Sequence, residues 1–129
     1  MLTYSSVQLF TNAGDGSFKV LDDQGNFDSY DKSIRTMCAS SYSDRLWIGT
    51  ETWQCAKIVS YHKSPLGETT WNKIEMDGDD CTLSVSDCLD LGGGKILFGT
   101  WARFGYNVYL LDETNNDSLT KLKTPQCEL

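Results

Sequence analysis

The sequence predicts an all-β fold built from a repeated unit of four antiparallel strands. Arg45–Thr50 (RLWIGT) and Lys95–Thr100 (KILFGT) both end in Gly-Thr and lie 50 residues apart, and the same spacing aligns Cys38 with Cys88. Short runs of β-branched and aromatic residues alternate with clusters of Gly, Asn, Asp and Ser, as strands alternate with turns. Helical periodicity is hard to find anywhere in the chain. A repeat of roughly 40–50 residues made of four strands is typical of a β-propeller blade.

Two complete units are expected, residues 34–76 and residues 77–124. The strands predicted in the first are Ile34–Ser40, Arg45–Thr50, Ala56–Tyr61 and Trp71–Met76. Those in the second are Val85–Leu91, Lys95–Thr100, Asn107–Asp112 and Leu119–Lys123. The last strand follows after a two-residue deletion, which aligns Trp71 with Leu119. Gly92-Gly93-Gly94 supplies the positive φ angles of a tight turn, and Ser43-Asp44 takes that place in the first unit.

Residues 1–33 are interpreted as a truncated unit that contains strands two, three and four. These strands are predicted at Val7–Thr11, Ser17–Asp22 and Phe27–Asp31, with turns at Asn12–Gly16 and Asp23–Asn26. The chain would then hold about two and three-quarter blades, fewer than the 4–8 blades of a closed ring.

An unclosed arc of blades exposes sheet faces and strand edges, which favour association. We therefore expect a homo-oligomer, most simply two copies arranged head to tail as a ring of about six blades. In this hypothesis Gln126–Leu129 of the tail, residues 125–129, supplies the missing innermost strand of a neighbour's first unit. The alternative is that the chain is part of a longer propeller.

The segment Arg35–Thr50, with the motif DRLWIGT at Asp44–Thr50, resembles the propeller repeat of bacterial two-component sensor (regulator) proteins, whose second strand carries L-W-I-G-T. Leu46–Thr50 matches that strand fully and Ile96–Thr100 matches it loosely. The resemblance covers about 90 residues and implies a propeller fold. It does not imply a function, because this fold carries many activities.

A weaker resemblance is to the Asp-box turn of sialidase-like propellers. Ser64, Thr70 and Trp71 occupy three of its positions, in the expected place between strands three and four. Leu66 and Glu68 stand where the motif has Asp and Gly, so the turn is degenerate. This likeness also implies a propeller fold only.

Composition excludes several classes of partner. The chain has 129 residues, which predicts one domain, and a net charge of −7. Because nucleic acids and anionic membranes attract cationic surfaces, neither is an expected partner. No apolar run of about 18 residues is present to span a membrane. The first residues, MLTYSSVQLF, lack the basic and apolar regions of a secretory signal, so a cytoplasmic protein is expected.

The cysteine pattern predicts mostly free thiols in a reducing compartment. Five cysteines are present, an odd number, and no CxxC spacing occurs. Cys38 and Cys88 are expected to be small buried residues of the core. His62 is the only histidine, too few for a zinc site, and no metal or cofactor is expected.

The candidate ligand-binding residues are aromatic. Trp53 and Trp101 each follow the Gly-Thr that ends strand two, in the segment leading to strand three, and Arg103 and Tyr106 share the second of these segments. Loops at one rim of a propeller are displayed together, and aromatic faces with flanking polar groups stack on sugars or anchor peptides. The alternative is that these aromatic residues fill gaps between blades.

These patterns favour a non-enzymatic recognition module assembled as a homo-oligomeric propeller, with a small molecule, glycan or peptide as ligand. No catalytic residues are assigned, since no G-x-S-x-G, H-E-x-x-H or phosphate-loop sequence occurs. A lectin-like carbohydrate binder that uses the same aromatic residues is one alternative. A small sialidase-like hydrolase is another, and its paired acids would come from Asp22, Asp23, Asp87 and Asp90.

Overall fold

A computed structural model of the chain describes residues 7–12, 14–76, 81–103 and 105–122. Strands account for 62% of these residues, none of them is helical, and the main sheet is strongly curled into a half-barrel. The predicted all-β class is therefore confirmed. The described residues offer no helix with the length and hydropathy to cross a bilayer.

Ten strands follow one another along the chain. They are β1 (Phe10–Asn12), β2 (Phe18–Val20), β3 (Asp31–Ala39), β4 (Leu46–Thr52), β5 (Lys57–Lys63), β6 (Thr69–Glu75), β7 (Thr82–Gly92), β8 (Lys95–Ala102), β9 (Gly105–Asp112) and β10 (Ser118–Leu122). The eight strands predicted within residues 34–124 are all present, and their described ends lie within three residues of the expected ones. The predicted glycine turn joins β7 to β8, and Gly92, Gly93 and Gly94 all have positive φ.

The strands form two antiparallel meanders and a separate hairpin. β3–β6 is the first meander, β7–β10 is the second meander, and β1–β2 is the N-terminal hairpin. Only one residue pair, Glu51 with Ser84, joins β4 to β7 and makes the two meanders one eight-stranded sheet. The meanders therefore fold over each other instead of extending as one flat layer.

The two meanders have the same internal register. The β3–β4 ladder is irregular between Asp31 and Ser33, and the β7–β8 ladder is irregular at the matching place, between Thr82 and Ser84. Tyr61 pairs with Trp71 as Leu111 pairs with Leu119, which is the alignment that the two-residue deletion predicts.

The shared Gly-Thr has a structural reason. The Thr50 hydroxyl donates to the carbonyl of Lys57 at 3.1 Å, and the Thr100 hydroxyl donates to the carbonyl of Asn107 at 3.1 Å. Both threonines are buried. Each ties the end of the second strand of its meander to the start of the third.

The predicted equivalence of Cys38 and Cys88 is wrong by one position. Ala39 pairs with Leu46 in the first meander, and Asp90 pairs with Ile96 in the second, so the first turn is one residue longer. The first strands therefore align with an offset of 51 residues, while the second and third strands align with an offset of 50. Met37, not Cys38, is the counterpart of Cys88.

The predicted free thiols are also wrong for four of the five cysteines. Cys38 forms a disulfide with Cys88, and Cys55 forms one with Cys81. Both bonds connect the first meander to β7 or to the residue just before it. Each disulfide joins cysteines from different units. Neither the odd number of cysteines nor the absence of a CxxC spacing could therefore exclude these disulfides. Cys127 lies outside the described residues.

The core has two layers, one on each face of the first meander. Trp47 and Phe98 meet edge to face between the two meanders, with ring centroids 6.3 Å apart. On the opposite face, Val7 and Phe27 from the N-terminal segment pack on Ile48 and Val59. The order in space is therefore the N-terminal segment, the first meander and the second meander.

Each meander uses its two faces in the same way. Successive side chains of a strand point to opposite faces. We call the face that carries Ile48 in the first meander and Phe98 in the second the leading face. The face that carries Trp47 and Leu97 is the trailing face. The trailing face of the first meander packs on the leading face of the second.

The predicted strand Phe27–Asp31 does not form. Asp28 accepts a hydrogen bond from the Tyr30 amide, and Asp31 accepts one from the Asp28 amide. These local bonds stabilise a turn, which is the usual competition between aspartate side chains and extended backbone. Phe27 is buried as a single anchor. The predicted strand exchange by Gln126–Leu129 lies outside the described residues.

Candidate functional site

The structure places the predicted ligand-binding residues at one end of the two meanders. Trp53 lies in the turn after β4 and is 70% exposed. Trp101 pairs directly with Tyr106 across β8 and β9, and they are 41% and 79% exposed. Arg103 is exposed in the turn between those strands. We call this end of the molecule the aromatic rim.

The two halves of the aromatic rim are linked through the sheet. Glu51 of β4 pairs with Ser84 of β7, and Ser84 pairs in turn with Trp101 of β8. Lys32 lies 3.7 Å from Glu51, and its ammonium is 3.7 Å from the centroid of the Trp53 ring. The lysine therefore holds the indole by a cation–π contact at the surface. In the single chain, the indole of Trp53 lies at the surface and is 70% exposed.

A cavity of about 390 Å³ opens beside Trp53. Its wall includes Tyr30, Gln54 and Cys55, and the amide of Trp53 donates to the carbonyl of Tyr30 at 2.8 Å. The disulfide between Cys55 and Cys81 fixes this part of the wall to the second meander. The cavity is large enough for one side chain or a small ligand.

A buried ion pair forms the floor of the cavity. The Lys57 ammonium is 2.9 Å from the Asp31 carboxylate and 3.8 Å from that of Asp28. The side chains of Lys57 and Asp31 are 5% and 1% exposed. Glu75 also lies in the wall, and its carboxylate pairs with Lys73 at 3.4 Å. The lining itself carries three carboxylates and one ammonium group, so it is net anionic and favours a cationic group in a ligand.

Sequence reasoning missed this cavity. Lys57 and Asp31 are 26 residues apart and belong to the third and first strands of the meander. Their proximity depends on the twist of the sheet and on the Asp28–Asp31 turn, which was predicted to be a strand. The only signal for it in the sequence was the position of Lys57, a charged residue at the start of an apolar strand and therefore expected to be buried.

The opposite end of the meanders is closed by a polar network. Arg45 donates to both oxygens of Asp117, at 2.7 and 2.6 Å, and lies 3.1 Å from Glu113. Glu113 is fully buried and also accepts the Trp47 indole N–H at 2.9 Å. These contacts join the turn after β9 to the first meander, so the network is structural.

The network shifts two pKa values in opposite directions. The hydrogen bonds from Arg45, and then its charge, lower the pKa of Asp117 below the ordinary value for an aspartate, although partial burial opposes this. The same hydrogen bond raises the pKa of Arg45. Both shifts favour the charged pair.

Three of the four acids predicted for the hydrolase alternative accept backbone amides. Asp22 and Asp23 accept the amides of Gln24 and Gly25 in one turn. Asp90 accepts the amides of Gly92 and Ser41, and these bonds lower its pKa. These three carboxylates thus serve turn geometry. Within the described ranges, no three His, Cys, Asp or Glu side chains converge on a metal position.

No family model, curated protein or solved structure matches this chain. The aromatic rim and the anionic cavity are therefore the observations on which a function can be argued.

Proposed function

We propose that the protein is a non-enzymatic recognition module that binds its ligand at the aromatic rim and works as a head-to-tail homo-oligomer. The observation that carries the proposal is the set of exposed aromatic residues, Trp53, Trp101 and Tyr106, beside an anionic cavity. Exposed tryptophan and tyrosine side chains that a rigid sheet holds in place supply large contact area at low cost in conformational entropy.

The favoured ligand is a peptide with a basic side chain. Its cationic group would enter the cavity beside Asp28, Asp31 and Glu75, and an adjacent apolar group would lie on Trp53. Arg103 at the second turn can pair with an acidic group further along the peptide. A glycan that stacks on the same indole rings is the second candidate ligand, supported by the exposure of Trp53 and Trp101.

The assembly is proposed to continue the stacking of the two meanders. Their matching registers and the identical use of leading and trailing faces support a repeated, propeller-like unit. The disulfides Cys38–Cys88 and Cys55–Cys81 support an oxidising compartment in place of the predicted cytoplasm, because such bonds are rare in cytosolic proteins.

The ligand proposal is tested with peptide and glycan arrays, followed by calorimetry of the hits. Trp53→Ala and Trp101→Ala should each weaken binding about tenfold or more, which is the usual effect of removing an aromatic anchor. Tyr42→Ala removes an exposed aromatic ring from the turn between β3 and β4, at the opposite end, and should leave affinity unchanged.

Binding to glycans alone would replace the peptide ligand by a carbohydrate. Turnover of aryl glycosides by the wild-type protein would contradict a non-enzymatic role. Equal losses of affinity in the Trp53 and Tyr42 variants would show that the ligand does not bind at the aromatic rim.

A further inference from the structure

We propose that the exposed trailing face of the second meander receives the N-terminal hairpin of a second copy of this chain. The inference rests on the proposed head-to-tail assembly and names the two surfaces that form it. Between the two meanders, the trailing face of the first packs on the leading face of the second. Among the described residues, no core layer covers the trailing face of the second meander or the outer side of the N-terminal hairpin.

The uncovered trailing face is apolar. Leu89 pairs with Leu97, and Leu97 pairs with Leu110, so three leucines form a row across β7, β8 and β9. Val108 and Leu122 are paired on the same face. Leu89 is 58% exposed, and nothing else in the described part of the chain packs on this row as a core layer.

The matching residues of the first meander are covered. Leu89, Leu97, Val108 and Leu122 align with Cys38, Trp47, Ile58 and Ile74. Those four residues all belong to the core cluster between the meanders, where the leading face of the second meander covers them. By this equivalence, the row of leucines is a surface for another leading face.

The N-terminal hairpin presents such a face. Leu9 packs toward Ile48 and Val59, so the next residue, Phe10, points away from the chain. Phe10 pairs with Val20, and Phe18 lies on the same side, opposite Asn12. Phe10, Phe18 and Val20 are all more than half exposed. Phe10–Val20 is a cross-strand pair on the outer side of the hairpin, as Ile48–Val59 and Phe98–Tyr109 are cross-strand pairs on the leading faces of the two meanders.

A second copy is therefore the occupant that fits. A two-fold contact would place each face against its own kind, whereas the interface between the two meanders joins unlike faces. A head-to-tail contact repeats the internal arrangement and covers both apolar ends. Copies that close into a ring leave neither end exposed, which accounts for how a chain with two such patches can stay in solution.

The same contact would shape the ligand site. Trp101 and Tyr106 lie on the trailing face, at the rim end of the second meander. Their counterparts in the first meander are Glu51 and Ala56, and both of these contact the backbone of β7. The described N-terminal residues contain no strand in the place of β7. The incoming copy would therefore leave a groove at the rim, with Trp101 and Tyr106 on one wall.

The test is the solution mass, measured by light scattering, of the full chain and of three variants. The wild-type protein should be a discrete oligomer. Phe18→Asp on the hairpin and Leu89→Asp on the leucine row should each give folded monomers, because each change buries a carboxylate at the interface. Leu66→Asp, on a residue that is 90% exposed in the turn between β5 and β6, is the control and should keep the wild-type mass.

Mixing the two monomeric variants gives the decisive result. The Phe18→Asp chain keeps an intact trailing face, and the Leu89→Asp chain keeps an intact leading face. Together they should form one-to-one dimers, although neither variant associates alone. If circular dichroism shows that Phe18→Asp does not fold, Val20→Lys replaces it.

The outcomes separate the inference from the proposal on which it rests. A monomeric wild-type protein overturns both the assembly and its interface. An oligomer that survives both substitutions overturns the interface alone. Failure of the mixed variants to pair would exclude the head-to-tail contact between these two faces, whatever the wild-type mass.

Discussion

Two glycines with the same sequence context show how much a residue depends on its neighbours across the sheet. Gly49 and Gly99 both precede a threonine that lies two residues before the end of the second strand of a meander. A Cβ atom on Gly49 would lie 2.6 Å from Val85 Cγ1 and 2.8 Å from Thr36 Cγ2. A Cβ atom on Gly99 would have its nearest contact at 3.5 Å, with Asp87. The first meander is covered at this point and the second is not.

Gly49→Ala should therefore lower the free energy of unfolding by about 1–3 kcal/mol, the range for overpacking a close contact. Gly99→Ala is the matched control and should stay within about 0.5 kcal/mol of the wild type, as for surface changes. Denaturant unfolding of both variants provides the measurement. A neutral Gly49→Ala would mean that the meanders do not approach each other as closely as the structure places them.

The pair Arg45–Asp117 makes a prediction for acid stability. The folded state lowers the pKa of Asp117 through the hydrogen bonds from Arg45, so the unfolded chain takes up a proton more readily. The stability from this pair is present above the unfolded pKa of about 4 and is lost as the pH falls through the lower, folded value.

Asp117→Asn should cost about 1–2 kcal/mol at neutral pH, because it weakens a charge-assisted bidentate bond. It should also flatten the loss of stability below about pH 4. Asp44→Asn, at an exposed aspartate, is the surface control and should change the free energy of unfolding at neutral pH by no more than about 0.5 kcal/mol. An identical pH profile in the Asp117 variant would remove the network as a source of acid sensitivity.

At the scale of strands, alternation and turn chemistry were enough to predict most of the two meanders. The two Gly-Thr sequences predicted β4 and β8, and the glycine turn predicted the boundary between β7 and β8. The alignment of the two meanders followed from these positions. The strand predicted at Phe27–Asp31 does not form, although Phe27 and Tyr30 are three residues apart, as are Trp71 and Ile74 of β6. Local hydrogen bonds to Asp28 and Asp31 outweigh that spacing.

Contacts between units could not be predicted from the sequence. The disulfides, the Lys57–Asp31 pair and the cavity all depend on how one element folds over another. The rim was predicted better, because position after the Gly-Thr is a local signal. Trp101 nevertheless lies inside β8, and this strand placement is what pairs it with Tyr106.

The disulfides give a prediction at this scale. Replacing Cys55 and Cys81 together by serine, or Cys38 and Cys88 together, should lower the free energy of unfolding by about 2–5 kcal/mol in each case. The unreduced wild-type chain in denaturant should titrate no more than one of its five thiols. Five reactive thiols under these conditions would restore the original expectation of a reducing compartment.

At the scale of the whole molecule, the chain is an ordered stack with unlike ends. The hairpin ends the stack with phenylalanines, and the second meander ends it with leucines. The net charge of −7 adds long-range repulsion between copies, which the proposed contact between these two faces would have to overcome. Added salt should therefore strengthen association, because it screens that repulsion and leaves apolar burial intact.

The two disulfides have one more consequence, for the covalent continuity of the chain. Cys38 and Cys55 precede residue 77, whereas Cys81 and Cys88 follow residue 80. A protease that cut the backbone between Met76 and Cys81 would sever the only peptide link between the meanders and yet leave them joined by two cross-links. Such a cleaved molecule would remain one covalent species until a reductant broke both disulfides, and only the noncovalent core would then hold its two halves together.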